Sequence, residues 1–285
     1  MDSRHSFGAP RKVGELYSLE GRVAVVTGGA GMYGSGISTA LAEAGAKVVI
    51  ASRSLDTCEQ KAAELRAQNL DGVAAQVDIA DEESVKALAD HLMADYGRLD
   101  VLVNNAVARS TGGDFSTVSA AQWEETLKVN STGILLATRL LGEVIAVSRP
   151  EGTVGAGGQI GPRGTGSIIN IASIYGMVGP QFDVYGSTGM KNPAEYAFAK
   201  GGLINLTRYL AAFYAPRGVR VNAISPGGYF SNQPQEFVDN YCRRTPLGRM
   251  AGEEDIKGVA LFLASEASAY VTGANLPLEG GWTAW

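Results

Sequence analysis

Short apolar runs rich in β-branched residues alternate with longer amphipathic segments along almost the whole chain. RVAVVTGG, KVVIASR, GVAAQVDI, LDVLVNNA, GSIINIAS, VRVNAISPG and NLPLEGG read as buried strands, each short and most closed by turn residues. Between them SGISTALAEAG, SLDTCEQKAAELRAQ, DEESVKALADHLMADYG, PAEYAFAKGGLINLTRYLAAFYAPRG and GEEDIKGVALFLASEAS carry helical spacing. A longer stretch, SAAQWEETLKVNSTGILLATRLLGEVIAVSR, reads as one helix or two. Strands alternating with helices dictate parallel βαβ units, so the predicted fold is α/β, a single-domain doubly wound parallel sheet with helices on both faces. Such sheets bind ligands outside the carboxyl ends of their strands. Most of the polar motifs of this chain fall there.

Three stretches break the alternation. Residues 1–20 are mixed and polar and read as an N-terminal extension, leaving 21–285 as the folded domain. Residues 149–166, RPEGTVGAGGQIGPRGTG, are Gly- and Pro-rich with few large apolar groups and predict a flexible surface loop. Residues 175–193 also look inserted, but Phe182, Tyr185 and Met190 give them apolar surface to pack. They predict a loop that shapes the substrate pocket.

Composition narrows the possible functions. A formal net charge of −5, without a clustered basic excess, excludes a nucleic-acid partner. No run approaches the ~20 apolar residues of a membrane span, so no membrane partner is expected. Two cysteines, Cys58 and Cys242, make no disulfide framework and suit free thiols in a reducing, cytoplasmic setting. His5 and His91 are too few for a metal centre.

The chemistry begins at VVTGGAGMYGSG, where Gly29, Gly31 and Gly34 satisfy G-x-G-x-x-G between a strand and a helix. Glycine allows the tight turn and a close approach of backbone to a pyrophosphate, and the helix N-terminus offers N–H groups and a positive dipole end. This makes the predicted sheet Rossmann-type. The alternative is a set of glycines that merely make a βα turn. The second strand ends Ala51-Ser52-Arg53, without the carboxylate that would bind a ribose 2′-hydroxyl. Arg53 is a forked donor suited to a 2′-phosphate, which favours NADP over NAD. Arg53 as a solvated surface arginine is the other reading.

An ordered set of motifs now resembles the short-chain dehydrogenase/reductase family: TGGAGMYG, Asp78 after a strand, NNA at 104–106, Asn130, Ser173, YAFAK at 196–200, SPGGYFS at 225–231 and LPLEGG. The likeness spans residues 18–285. It implies a hydride transfer between NADP(H) or NAD(H) and a small-molecule alcohol or ketone, with Asn130, Ser173, Tyr196 and Lys200 catalytic. It also implies cofactor contacts from Gly28, Gly31, Met32, Tyr33, Gly34, Ser52, Arg53, Asp78, Ile79, Asn105, Ala106, Val107, Tyr196, Lys200, Pro226, Gly227, Tyr229 and Ser231. Asp78 would hold the adenine amino group, Asn104 and Ala106 would lie by the adenosine ribose, and Ser231 would meet the carboxamide. As plainer readings, Asp78 caps the next helix and Ser231 is a loop hydroxyl. Met32 and Val107 stand where the family usually has glycine.

Elementary chemistry supports the catalytic set. Tyr196 and Lys200 are i and i+4 on a helix and share a face. A phenol titrates near ~10, and an adjacent ammonium favours its phenolate, which can exchange a proton with an alcohol. Ser173 can hold the substrate oxygen. By resemblance, Asn130 would hold a water joining the lysine to solvent. Tyr175 and Tyr185 compete with Tyr196, but Gly179 and Gly189 occupy their i+4 positions, so neither has the lysine. Choosing Tyr196 places an insertion of about ten residues between serine and tyrosine.

The insertion and the ending GGWTAW are similar to sugar-acid and polyol dehydrogenases, among them gluconate 5-dehydrogenases. A 3-oxoacyl or enoyl-thioester reductase is the alternative enzyme, for which Arg243, Arg244 and Arg249 are the one available basic rim. A non-catalytic dinucleotide sensor is the alternative from another class. The resemblance also implies a homotetramer. Apolar residues on more than one face of the Tyr196 helix (Phe198, Leu203, Leu206, Leu210, Phe213), with Leu276, Trp282 and Trp285, agree with a partner surface.

Overall fold

The computed structural model describes residues 10–108, 115–148, 154–155, 159–160 and 166–285. Its strands in chain order are β1 (Val23–Thr27), β2 (Lys47–Ser52), β3 (Gly72–Gln76), β4 (Val101–Asn104), β5 (Val154–Gly155), β6 (Gln159–Ile160), β7 (Gly166–Ile171), β8 (Val219–Pro226) and β9 (Asn275–Leu278). Seven of them form one parallel sheet in the order β3-β2-β1-β4-β7-β8-β9. β5 and β6 pair antiparallel with each other; with Gly166, which opens β7, they are the described part of the 149–166 insertion, and the rest of that stretch lies outside the described residues. The order reverses between β1, which runs on to β2, and β4, which starts the other half. That reversal opens the crevice in which such sheets bind nucleotides.

The helices are α1 (Val13–Leu16), α2 (Met32–Glu43), α3 (Leu55–Ala67), α4 (Glu82–Tyr96), α5 (Ala120–Leu127), α6 (Ile134–Val147), α7 (Ala194–Tyr214), α8 (Gln235–Arg244) and α9 (Lys257–Ala264). β1 is buried along its whole length because both sheet faces are covered. Its alternate residues serve opposite cores. Val23 and Val25 join Leu88, Leu92, Leu141, Ile145, Leu210 and Tyr214 of α4, α6 and α7. Ala24 and Val26 join Ile37, Leu41, Leu65 and Leu263 of α2, α3 and α9.

Local signals set the helix ends. Ser54 caps α3 and Asp81 caps α4, each through a side-chain oxygen accepting a backbone N–H, and Gly97 ends α4 at φ 64°. Asp78 is therefore not the cap. The end of the N-terminal stretch is anchored on the domain: Leu19 is buried and its N–H donates to Ala44 O at 2.8 Å.

The long helical stretch resolves into α5 and α6 joined by a π turn over Lys128–Gly133. Together Ala120–Val147 makes 28 residues, long and apolar enough by length and hydropathy to cross a membrane. Here α6 is instead packed against the sheet through Ala137, Leu141, Val144 and Ile145.

Candidate active site

The turn after β1 is shaped by what its glycines exclude. Gly28 sits at φ 63°, a region that favours glycine. A Cβ on Gly34 would lie 2.2 Å from Gly28 O and 2.6 Å from Asn105 Nδ2. Asn105 Nδ2 donates to Thr27 O at 3.0 Å and to Gly28 O at 2.9 Å, so the end of β4 clamps the turn. Ala106 N–H donates to Thr27 Oγ1 at 3.1 Å, which extends the clamp. Gly31 is the N-cap of α2 and provides no side-chain cap. A Cβ there would meet just Gly28 O, at 3.7 Å, so the helix N-terminus faces room for an anion. These residues fit a dinucleotide pyrophosphate, with Met32, Tyr33 and Gly34 in the first turn of the helix. The Tyr33 hydroxyl donates to Gly227 O at 3.1 Å, and its ring meets Tyr229 edge-on at 5.0 Å. Burial drives the Tyr33 phenol well above its ordinary range, with Tyr241 the next cause, so it stays a donor.

Further along the crevice, Ser52 ends β2 and its hydroxyl donates to Ser54 O at 3.2 Å. Arg53 follows, exposed, and among the described residues its guanidinium has no ion-pair or hydrogen-bond partner. Asp78 receives the Ala80 N–H at 2.9 Å, and its own N–H donates to Ser84 Oγ at 3.0 Å, which fixes the chain beyond β3. Ile79 is buried beneath the π turn, where a Cβ on Gly133 would come within 2.9 Å of it. Val107 is exposed. Pro226 ends β8 and Gly227 N–H donates to Leu278 O at 2.9 Å. Ser231 is an exposed rim residue whose N–H donates to Gln233 Oε1 at 2.8 Å. One expectation is corrected. Asn104 does not face the ribose side: it is buried, and its Nδ2 donates to Thr138 Oγ1 and to Asn170 Oδ1, each at 2.9 Å. Neighbours on a strand point to opposite faces, so Asn105 reaches the turn and Asn104 the core.

The proton-transfer candidates converge at the carboxyl end of β7. Lys200 lies one helical turn beyond Tyr196 on α7, its Nζ 5.6 Å from the centre of the Tyr196 ring. Lys200 is buried, donates to Ile171 O at 2.6 Å, and burial lowers its ammonium to about 8. Ile171 closes β7 two residues before Ser173. Ser173 Oγ accepts the Tyr175 N–H at 3.2 Å, which leaves the serine proton to be donated elsewhere. Asn130 sits in the π turn, a helical irregularity found at functional sites. Its Oδ1 accepts the Ala108 N–H at 2.8 Å and its Nδ2 donates to Ala108 O at 2.9 Å. Its amide therefore grips the chain after β4 from both ends.

The competing tyrosines are directed differently. Tyr185 OH donates to Tyr175 OH at 3.1 Å, and its ring packs on Phe237 at 5.5 Å. Burial raises both phenols. The 175–193 insertion does pack: Val184 and Tyr185 join Phe237, Tyr241, Met250 and Trp282 in a separate apolar cluster. Tyr241 stacks on Trp282 at 4.3 Å and its hydroxyl accepts the Gly228 N–H at 2.6 Å. Tyr241 is a wall residue that the sequence reading missed, although Phe237 and Tyr241 at i and i+4 on α8 carry the signal. Trp282 is 1% exposed within its own chain and so needs no partner subunit, contrary to the expectation from the sequence.

A family model described as enoyl-(acyl carrier protein) reductase matches residues 30–283. The cis-4-hydroxycyclohexanecarboxylate dehydrogenase of Sinomonas cyclohexanicum is 34% identical over 92% of this chain and 97% of its own. The L-tagatose-forming galactitol 2-dehydrogenase of Cereibacter sphaeroides is 33% identical over 95% and 98%. A gluconate 5-dehydrogenase from Burkholderia cenocepacia, solved in complex with NADP and tartrate, superposes with a TM-score of 0.82 at 28% identity, covering 96% of this chain and all of that one. With this fold and this crevice, the chain belongs to the short-chain dehydrogenase/reductase family. It is a nicotinamide-dependent oxidoreductase acting on CH–OH groups.

Proposed function

We propose that the protein interconverts a secondary alcohol and its ketone, the alcohol being a polyol, sugar or sugar acid, with NADP(H) as the preferred coenzyme. The observation that supports this reading is the position of Lys200, whose Nζ lies 5.6 Å from the Tyr196 ring and donates to Ile171 O, two residues before Ser173 at the end of β7. The similarity to dehydrogenases named for a hydroxylated ring acid and for an alditol supports the substrate class. The nicotinamide, when bound, supplies or accepts the hydride. Ser173 donates to the substrate oxygen, Tyr196 takes the alcohol proton or returns it, and the Lys200 ammonium favours the phenolate. Asn130 positions the segment after β4. A substrate panel read at the nicotinamide absorbance, with NAD and NADP in parallel, tests the assignment; turnover of thioesters without turnover of any secondary alcohol would overturn it.

The thioester alternative loses its basic rim. Arg249 is paired with Asp255 through two bonds of 2.6 and 2.7 Å, Arg243 bonds Asn240, and Arg244 lies 5.6 Å over the Trp282 ring. A sensor has no use for the Tyr196–Lys200 pair beyond binding.

Arg53 is the residue proposed to read the 2′-phosphate. Arg53→Ala is expected to raise KM for NADP about tenfold and to leave KM for NAD nearly unchanged, as loss of a charge-assisted contact implies. A wild-type enzyme with a wide preference for NAD would refute the assignment.

We further propose a cytoplasmic homotetramer. Cys58 and Cys242 are free thiols. On α7, Leu203 and Leu210 are buried within the chain, whereas Phe198, Tyr209 and Phe213 are exposed, and Leu135 and Val147 on α6 are exposed as well. Such a surface suits an isologous contact. Multi-angle light scattering at micromolar concentration is expected to report four copies, and a monomer would refute the proposal.

A further inference from the structure

Six phenols surround the catalytic end of β7. Tyr33, Tyr229 and Tyr241 lie on the nucleotide side, where the Tyr33 hydroxyl donates to Gly227 O and that of Tyr241 accepts from Gly228 N. Tyr196 is beside Lys200. The remaining two, Tyr175 and Tyr185, come from the turn that follows Ser173 and from the 175–193 insertion.

These last two hydroxyls bond to each other at 3.1 Å and, among the described residues, to nothing else. Two phenols own two O–H protons, and one shared bond uses one of them. Among the described residues the other proton has no acceptor. Tyr185 is 8% exposed, buried against Phe237, while Tyr175 is more open. Tyr175 is also two residues from Ser173, with its N–H on the Ser173 oxygen at 3.2 Å. The pair therefore presents a donor next to the point where the substrate oxygen is held. Burial keeps both phenols protonated across the working range, so the donor persists.

We infer that Tyr175, oriented by its bond with Tyr185, binds a second oxygen of the substrate, on the carbon next to the one that is oxidised, and so selects vicinal diols over simple secondary alcohols. The inference rests on the alcohol dehydrogenase reading above. Ser173 and Tyr196 address the reacting oxygen; Tyr175 addresses its neighbour. The insertion supplies Tyr185 and so sets substrate choice while leaving the chemistry to α7. Phe237, Tyr241 and Trp282 brace it from behind.

The test uses the full-length enzyme with saturating coenzyme and two matched pairs, cyclohexane-1,2-diol against cyclohexanol and butane-2,3-diol against butan-2-ol. The wild type is expected to favour each diol. Tyr175→Phe is expected to lower kcat/KM for the diols about tenfold and to leave the mono-alcohols nearly unchanged, as removal of one hydrogen bond to substrate implies. Tyr185→Phe keeps the ring packing and is expected to lower the same diol preference, by about threefold. Equal losses on diols and mono-alcohols, or an unaltered preference, would overturn the role of Tyr175 while leaving the dehydrogenase reading intact. A wild type that binds the coenzyme but oxidises none of the four would sink that reading and the inference with it.

Discussion

Replacement of Tyr196 by phenylalanine lowers kcat/KM by about 10²–10⁴-fold, the usual contribution of a positioned acid–base group, while coenzyme binding is nearly unchanged. Of the first three tyrosines after Ser173, namely Tyr175, Tyr185 and Tyr196, Tyr196 is the one with a lysine at i+4, and the Lys200 ammonium reaches to 5.6 Å from its ring. Tyr185 spends its hydroxyl on Tyr175. Steady-state rates with coenzyme fluorescence titration decide the matter. An active Tyr196→Phe beside an inactive Tyr185→Phe would transfer the role to Tyr185.

Lys200→Met abolishes turnover on a similar scale and at the same time stabilises the coenzyme-free fold at neutral pH. Lys200 is buried, and burial lowers its ammonium from 10.5 to about 8. Between those two values the folded chain has released a proton that the unfolded chain still holds. Stability therefore rises with pH across that window, and below pH 8 the full penalty of a buried cation stands. Met keeps the stem and removes the charge, for a gain of about 1–3 kcal/mol at pH 7. Thermal melts from pH 7 to 10.5 check this: the wild-type curve should climb relative to that of Lys200→Met, and parallel curves would show that the ammonium carries no such penalty.

The alternation of strands and helices was legible because the central strands β1, β4, β7 and β8 are buried along their whole length and helices such as α3 and α4 carry their own punctuation in Ser54, Asp81 and Gly97. The phosphate turn was legible for a similar reason, since Gly28 and Gly34 are needed by backbone geometry that no neighbour can relax. Tyr196 could be preferred over Tyr185 by local spacing alone. What escaped depends on distant partners. Asn104 and Asn105 are adjacent and chemically identical, and the sheet, not the motif, sends one inward to Asn170 and the other to Gly28. Trp282 reads as a loose apolar tail until α8 brings Tyr241 beneath it. The π turn at Asn130 leaves no mark in the periodicity, because one added residue per turn is hidden within a continuous helix.

The two insertions enter the molecule at opposite poles. The earlier one joins the end of α6 to the start of β7, the amino edge of the sheet; the later one leaves from the carboxyl edge of the same strand. A parallel sheet has a polarity, and its strands deliver their chemistry at one edge alone. On the proposed reading, a change of length between α6 and β7 is expected to leave substrate choice alone, whereas a change within residues 175–193, which leave from the carboxyl edge, is expected to alter which alcohol is taken.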